Sequence, residues 1–184
     1  KHLIIYLDQC DMKMYVHGEA LFFRKGSLVS IERGLRYSCS LKKIYVEGPP
    51  FRYIAIDQHT IKLLKDIFIL LYGYKLNESI LDRKITDKII SVRGNKGAIS
   101  VFELITNSLD NTKKAIKIAY MLSKVEKFDK IIHSINISAA KTFTDKVRDL
   151  ISKDVSKKWR LNNIADEFNI SEVTVRKRLE CENT

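Results

Sequence analysis

The stretch from Trp159 to Glu180, WRLNNIADEFNISEVTVRKRLE, constrains the fold more than any other part of the chain. Its first half places four apolar residues at positions i, i+3, i+4 and i+7, which is the spacing of one helix face: Leu161, Ile164, Ala165 and Phe168. Asn169 tolerates the left-handed conformation that ends helices, and Ser171 is a favourable N-cap for a second helix. The stretch therefore predicts two short helices joined by a three-residue turn.

The second predicted helix carries an apolar pair on one side and mostly polar or basic residues on the other. Val175 and Leu179 lie four residues apart and are expected to face inward. Six residues are expected to form an outward DNA-binding surface: Ser171, Glu172, Val173, Thr174, Arg176 and Lys177. Arginine can pair with guanine, threonine or valine can contact a thymine methyl group, and lysine can bind phosphates. The pattern is typical of a helix-turn-helix that reads the major groove, and an ordinary helical hairpin with a solvated basic face is the alternative.

The segment before this pair is also predicted to be helical, from about residue 138 to residue 155. Its apolar stripe has helical spacing: Phe143, Val147, Leu150 and Ile151. This helix would pack behind the pair and complete a small core. Trp159 is the only tryptophan, and we expect it to anchor that core rather than to stack on a base.

The charge of the chain suits a polyanionic partner, but it is not concentrated where the helical pair lies. The 184 residues carry 33 Lys plus Arg against 22 Asp plus Glu, a net charge of +11. Residues 139–184 hold ten of those basic and eight of those acidic residues, a net of +2, which leaves +9 for residues 1–138. Overall basicity therefore supports nucleic-acid binding only weakly. It is equally explained by a basic pocket or by the Lys- and Ile-rich composition of an AT-rich genome.

The residues that usually carry catalysis or bind metals form no recognisable constellation. There is no glycine-rich phosphate loop, paired-cysteine motif or nucleophile elbow, so we expect a protein that is not an enzyme and needs no cofactor. The three cysteines are odd in number and widely spaced, which argues against a disulfide scaffold and for the reducing cytoplasm. The longest apolar run, IFILLYGY, is too short to span a membrane, and no signal peptide opens the chain.

The first third of the chain has the period of strands. Close spacing with glycine turns between them suggests an antiparallel barrel or jelly roll, and the candidates are HLIIYL, MKMYV, ALFF, SLVSI, LRYSCSL, IYV and FRYIAI. The period then changes to that of a helix, with Asp57 as its N-cap and Gly73 at its end. We predict a loop with brief structure over 74–97 and helices over 98–135. The fold class is thus α+β, with an N-terminal barrel and helices in 1–136 and an all-α segment in 137–184.

A small barrel of this kind can enclose a ligand. Inward aromatic and aliphatic groups would form an apolar cavity, and one or two cations would select an anion. Lys13 lies in the predicted strand MKMYV. Strand alternation allows its side chain to lie on the inner or the outer face equally well, so the sequence leaves both open.

The segment DKVRDLISKDVSKKWRLNNIADEFNISEVTVRKRLECEN resembles the start of the DNA-binding domain of AraC/XylS-type regulators. Within that family it is similar to the virulence regulators of enteric pathogens, the Rns- and ToxT-like subgroup. The pieces SLVSIERG, LKDIFILLYG and YMLSKVEKFDKIIHSINIS resemble the N-terminal domain of the same subgroup. The resemblance implies a cupin-like barrel, dimerisation helices at about 111–134, and a first recognition helix over 171–180. It also implies a second helix-turn-helix unit after Thr184, and both chain ends look cut from a longer protein.

The resemblance leaves the effector open between a fatty acid and bicarbonate. Rns-like relatives carry a basic residue where this chain has Ala55, and the partner histidine of those relatives would fall just before Lys1. A ToxT-like alignment instead matches Lys13 to a lysine of the pocket. The effector-binding candidates in the first two strands are His2, Tyr6, Lys13 and Tyr15.

The function predicted from these features is sequence-specific DNA binding by a transcriptional regulator of virulence genes. We expect an activator that binds promoter DNA, a second copy of itself and RNA polymerase, and that responds to a small anionic effector. The alternative is a ligand-binding regulatory module that acts through protein contacts, as an anti-activator does. Affinity for promoter DNA that falls steeply with rising salt concentration would indicate the DNA-binding regulator and not the anti-activator.

Overall fold

The computed structural model describes residues 1–44, 48–73, 83–106 and 110–183. The chain divides into two compact units, Lys1–Ala139 and Ala140–Thr184. The division lies three residues after the boundary predicted at 136, because the last helix of the first unit continues to Ala139. Each unit has a hydrophobic core of its own.

The strands of the first unit form two antiparallel sheets. The large sheet has the order β6-β1-β4-β7 and the small sheet the order β3-β2-β5. Their bounds are β1 His2–Tyr6, β2 Cys10–Val16, β3 Glu19–Phe23, β4 Ser27–Ile31, β5 Ser38–Lys43, β6 Arg52–Ile56 and β7 Ile89–Arg93. The candidate strand IYV falls mostly on residues 45–47, which lie outside the described residues.

The closed barrel that we predicted is not formed by the described strands, since no hydrogen-bonded ladder joins the two sheets. The two sheets instead pack face to face through a shared apolar core, and the large sheet is buried on its other face as well. Along β1, Leu3 and Ile5 contribute to a core shared with the small sheet, whereas Ile4 and Tyr6 contribute to a core shared with the helices. The large sheet is therefore the middle of three layers, which explains the uninterrupted apolar run of β1.

The brief structure expected within the loop over 74–97 consists of a short helix and a strand. Residues 85–88 form a short helix, and β7 follows directly and pairs with β4. Ile89, Ile90 and Val92 are buried there, so the strand covers one edge of the large sheet. Residues 74–82 of that prediction lie outside the described residues.

The helices of the first unit cover the large sheet. They are α1 Gln58–Tyr72, α2 Ile85–Lys88, α3 Lys96–Thr106, α4 Asn111–Leu122 and α5 Phe128–Ala139. The start of α1 is the one predicted, because the Asp57 carboxylate accepts the Thr60 N–H at 2.8 Å. Its end at Gly73, which has φ of +64°, is also the one predicted.

The second unit consists of α6 Phe143–Lys153, α7 Leu161–Phe168 and α8 Glu172–Asn183. The first of these begins five residues later than predicted, because Thr142 caps it and exchanges hydrogen bonds with Asp145. Five buried side chains form the core: Phe143, Val147, Ile164, Ala165 and Val175. In the part of the chain that the structure describes, no helix is both long enough and apolar enough to cross a membrane.

Candidate nucleic-acid interface

The turn between α7 and α8 has the conformation that its sequence predicts. Asn169 is left-handed, with φ of +54° and ψ of +45°, and ends α7. Ile170 donates its N–H to the carbonyl of Ala165 at 3.0 Å, and Ser171 accepts the N–H of Thr174 at 3.2 Å as the N-cap of α8. Local hydrogen bonds in the three-residue turn thus set the start of α8, and Ile170 of the turn also packs against the core.

The inward face of α8 is defined by Val175, Leu179 and Glu182. Val175 is 0% exposed, and Leu179 packs against the same core. The Glu182 carboxylate accepts the backbone N–H groups of Phe143 at 2.7 Å and Thr144 at 2.6 Å, so it caps the amino end of α6. Burial opposes its ionisation, but these hydrogen bonds hold the pKa of Glu182 below its ordinary value.

Sequence reasoning missed Glu182, although a signal was available. Residues 175, 179 and 182 follow the i, i+4, i+7 spacing of one helix face. A glutamate on that inward face needs a hydrogen-bond donor for its carboxylate. The guanidinium of Arg178 adds a second contact with α6, since it lies 5.5 Å from the centre of the Phe143 ring. The carboxyl-terminal half of α8 is therefore held against the first turn of α6.

The predicted DNA-binding residues mostly face solvent. Ser171, Glu172, Arg176 and Lys177 are exposed, and Val173 is 63% exposed. Thr174 is half-buried, and its hydroxyl lies 2.8 Å from that of Ser171. Within the described residues, neither Arg176 nor Lys177 forms an ion pair with a carboxylate. The exposed ridge of α8 is thus apolar at one end and cationic along its middle, with donors available to an anion.

The four effector candidates do not come together. The side chains of His2 and Tyr6 lie on the helix-facing side of the large sheet. The His2 ring is 0% exposed, with Nδ1 2.9 Å from the Ser138 hydroxyl and Nε2 2.9 Å from the Ser30 hydroxyl. Burial lowers the pKa of His2 to about 3, so the ring is neutral and both of its nitrogens are occupied.

Lys13 and Tyr15 lie on the outer face of the small sheet. The sequence had allowed Lys13 to lie on either face. Met12 and Met14, their neighbours in β2, are buried in the core between the sheets. The Lys13 ammonium lies 4.6 Å from the centre of the Tyr15 ring and 5.1 Å from that of Phe22. A groove of about 500 Å³ opens beside it, lined by Asp11, Met12, Lys13, Phe22, Phe23, Arg24, Ser40, Leu41 and Lys42. Three cations against one carboxylate favour an anionic ligand with an apolar part.

A buried ion pair lies near His2 and was not predicted from the sequence. Arg83 donates two hydrogen bonds to the Glu32 carboxylate, at 2.9 and 2.7 Å, and Ser134 donates a third at 2.9 Å. The ion pair thus joins the residue that follows β4 to the segment before α2, and the Ser134 hydrogen bond joins the same carboxylate to α5. No group of His, Cys, Asp or Glu side chains suited to a metal ion occurs among the residues described.

Two helices joined by a capped three-residue turn, the second presenting a cationic ridge, have the arrangement of a helix-turn-helix of the kind found in DNA-binding transcriptional regulators. No family model matches the chain. It is 38% identical to the DNA-binding dual transcriptional regulator Rns of Escherichia coli over 184 residues, all of this chain and 69% of Rns. It is 35% identical to the transcriptional activator AggR of the same species, over 99% of this chain and 68% of AggR. The chain belongs to the AraC/XylS-type family of transcriptional regulators, in its subgroup of enteric virulence regulators.

The fold of the chain is similar to that of ToxT from Vibrio cholerae. One ToxT structure superposes with a TM-score of 0.63 at 16% identity, over all of this chain and 68% of ToxT. Another, with a TM-score of 0.55, is of ToxT bound to an unsaturated fatty acid. At this identity the likeness concerns the fold alone.

Proposed function

We propose that this chain binds promoter DNA through α8 and activates transcription of virulence genes. The observation that carries the proposal is the division of α8 into two faces. Val175, Leu179 and Glu182 hold it to its own unit, whereas its opposite ridge is exposed and cationic. The names of the relatives, which are regulators and activators of transcription, support the same function.

In this proposal the residues of the ridge divide the work of recognition by their chemistry. Arg176 is suited to a bidentate contact with guanine, and Val173 and Thr174 to the methyl group of thymine. Glu172 can accept a hydrogen bond from cytosine. Lys177 and the N-cap residue Ser171 are suited to phosphate oxygens, which position the helix without reading sequence.

The test is Arg176→Ala in the protein at its full natural length. The probes are a duplex selected from a random-sequence pool by the wild-type protein and a scrambled duplex of equal length and composition. Loss of a base contact is worth about 1–3 kcal/mol, so affinity for the selected duplex should fall by about 5- to 150-fold. Arg148→Ala removes the same charge from the exposed side of α6 and is the matched control.

Equal affinity of the Arg176→Ala and Arg148→Ala proteins for the selected duplex would remove the base-reading role. A wild-type protein whose affinity for DNA does not depend on salt would instead favour the alternative module that acts through protein contacts.

The effector in this proposal is a small anion, a fatty acid or bicarbonate, bound in the groove beside Lys13. The groove supports this because cations and the exposed ring of Phe22 share one opening. Tyr15 borders the same ammonium. His2 and Tyr6 would act on the effector only indirectly, through the packing of β1. Binding would regulate the protein only if its affinity differs between two arrangements of the chain.

The dimer in this proposal forms through the helices over 111–134. Six of the twelve α5 residues are buried, and its exposed residues Asp129 and Lys130 are charged. The exposed apolar surface in this range is therefore that of α4. Ile116 and Tyr120 lie four residues apart on α4 and are 57% and 54% exposed. Large apolar side chains at helical spacing are suited to a partner helix. Contact with RNA polymerase belongs to the proposal as the step by which an activator acts.

A further inference from the structure

The loop between α6 and α7 concentrates positive charge in an exposed segment. Lys157, Lys158 and Arg160 fall within four residues and are all exposed. They make up three of the ten Lys and Arg residues in 139–184. The loop leads directly into α7, the first helix of the pair whose second helix carries the proposed recognition ridge.

The loop is held in one shape by its own hydrogen bonds. The Asp154 carboxylate accepts the N–H of Ser156 at 3.1 Å, the N–H of Lys157 at 3.2 Å and the Ser156 hydroxyl at 2.6 Å. The Trp159 indole donates its N–H to the Asp154 carbonyl at 2.9 Å. Because the Trp159 ring packs against the core of the second unit, the loop is anchored and its cations are presented from a fixed backbone.

The cations of the loop have no carboxylate bound to them in the described part of the chain. Lys157 lies over the Trp159 ring, 4.3 Å from its centre, which leaves its ammonium hydrogens accessible. The carboxylate nearest in sequence, Asp154, is turned toward the loop's own donors. A hydrogen bond from the Ser156 hydroxyl is the main cause that keeps the pKa of Asp154 below its ordinary value. The surface is therefore cationic and suited to several phosphates at once.

We propose that this loop is a sequence-independent phosphate-binding element, in which Lys157, Lys158 and Arg160 bind phosphodiester oxygens of duplex DNA. This inference rests on the proposed function, in which α8 occupies the major groove. In helix-turn-helix proteins the helix before the recognition helix crosses the DNA backbone, and this loop is the entry to that helix. Phosphate contacts fix the register of a protein on the duplex and carry no sequence information.

The test is the triple variant Lys157→Gln, Lys158→Gln, Arg160→Gln in the protein at its full natural length. Fluorescence anisotropy measures its affinity for the selected and the scrambled duplexes between 50 and 200 mM salt. Each lost phosphate contact lowers the slope of log affinity against log salt by about 0.9. Over this fourfold range the wild-type affinity should therefore fall about 40-fold further than that of the variant. The affinity of the variant for the selected duplex and for the scrambled duplex should fall by the same factor. The ratio of the two affinities should therefore stay at its wild-type value.

Two control proteins make the result specific. Lys157→Arg with Lys158→Arg keeps the charges and should keep the wild-type slope. Lys62→Gln, Lys84→Gln and Lys96→Gln remove three exposed charges from the first unit and should also leave the slope unchanged.

An unchanged slope in the triple glutamine variant would overturn the inference, as would an equal drop in the first-unit control. A loss confined to the selected duplex would overturn it too, because the loop would then read bases. If the wild-type protein binds the two duplexes with equal affinity, base recognition by α8 is refuted. The salt dependence still tests phosphate binding by the loop in that case. The helical signal in far-ultraviolet circular dichroism confirms that each variant of the second unit is folded, because it does not depend on the cation beside the Trp159 ring.

Discussion

The buried imidazole of His2 should make the first unit less stable as the pH falls below about 6.5. The ring is wholly buried and accommodated as a neutral group between the hydroxyls of Ser30 and Ser138. Burial lowers its pKa from 6.5 to about 3 in the folded chain. Protonation of the folded state would place a charge in a buried site whose two direct partners are neutral hydroxyls.

The sign and the size of the effect follow from the two pKa values. Between pH 6.5 and pH 3 the unfolded chain binds a proton at His2 that the folded chain does not bind. The contribution of His2 to stability is therefore fully present above pH 6.5 and is lost progressively as the pH falls toward 3. At pH 5 the loss amounts to about 2 kcal/mol of unfolding free energy.

Urea unfolding at pH 7.5 and pH 5, followed by far-ultraviolet circular dichroism, measures this difference. His2→Gln is the comparison, because glutamine has hydrogen-bonding groups but does not titrate. Carboxylates titrate equally in both proteins, so the extra loss of about 2 kcal/mol should appear in the wild type alone. Trp159, in the second unit, provides an internal control by its fluorescence. The same pH dependence in wild type and variant would refute the reasoning.

Three further predictions concern the other contacts. Glu182→Ala removes the carboxylate that caps α6 and should destabilise the second unit by about 1 kcal/mol, seen in urea unfolding by Trp159 fluorescence; a similar cost for the exposed Glu180→Ala would argue against a capping role. Lys13→Gln should weaken decanoate binding by about tenfold in calorimetry, since a charge-assisted hydrogen bond is lost; unchanged affinity would place the effector elsewhere. Ile116→Asp should abolish self-association in sedimentation velocity, and a dimer that persists would exclude this face of α4.

The local features of the second unit could be predicted from the sequence because they depend on neighbours along the chain. The helix over 161–168, the left-handed Asn169 and the Ser171 cap arise from interactions within four residues. The inward position of Val175 follows from helical spacing in the same way. The candidate DNA-binding ridge was identified by what remained exposed once those positions were assigned.

The effector candidates show where such reasoning ends. Alternation along β2 divides its residues between two faces but does not say which face is covered, so the outward position of Lys13 needed the structure. Likewise, no local pattern indicates that His2 contacts Ser138, which lies 136 residues away in the chain. Candidates chosen for their chemistry on adjacent strands were therefore separated by the layers of the fold.

The sequence by itself determined the helices of the second unit, the turn between them and the family, because periodicity and capping are local and motifs are read residue by residue. Only the tertiary structure decided that the strands form two layers instead of a closed barrel, that Glu182 caps α6, and that a neutral His2 lies buried beneath α5. These depend on which faces meet, and the free energy of burying a face is set by residues distant in the chain.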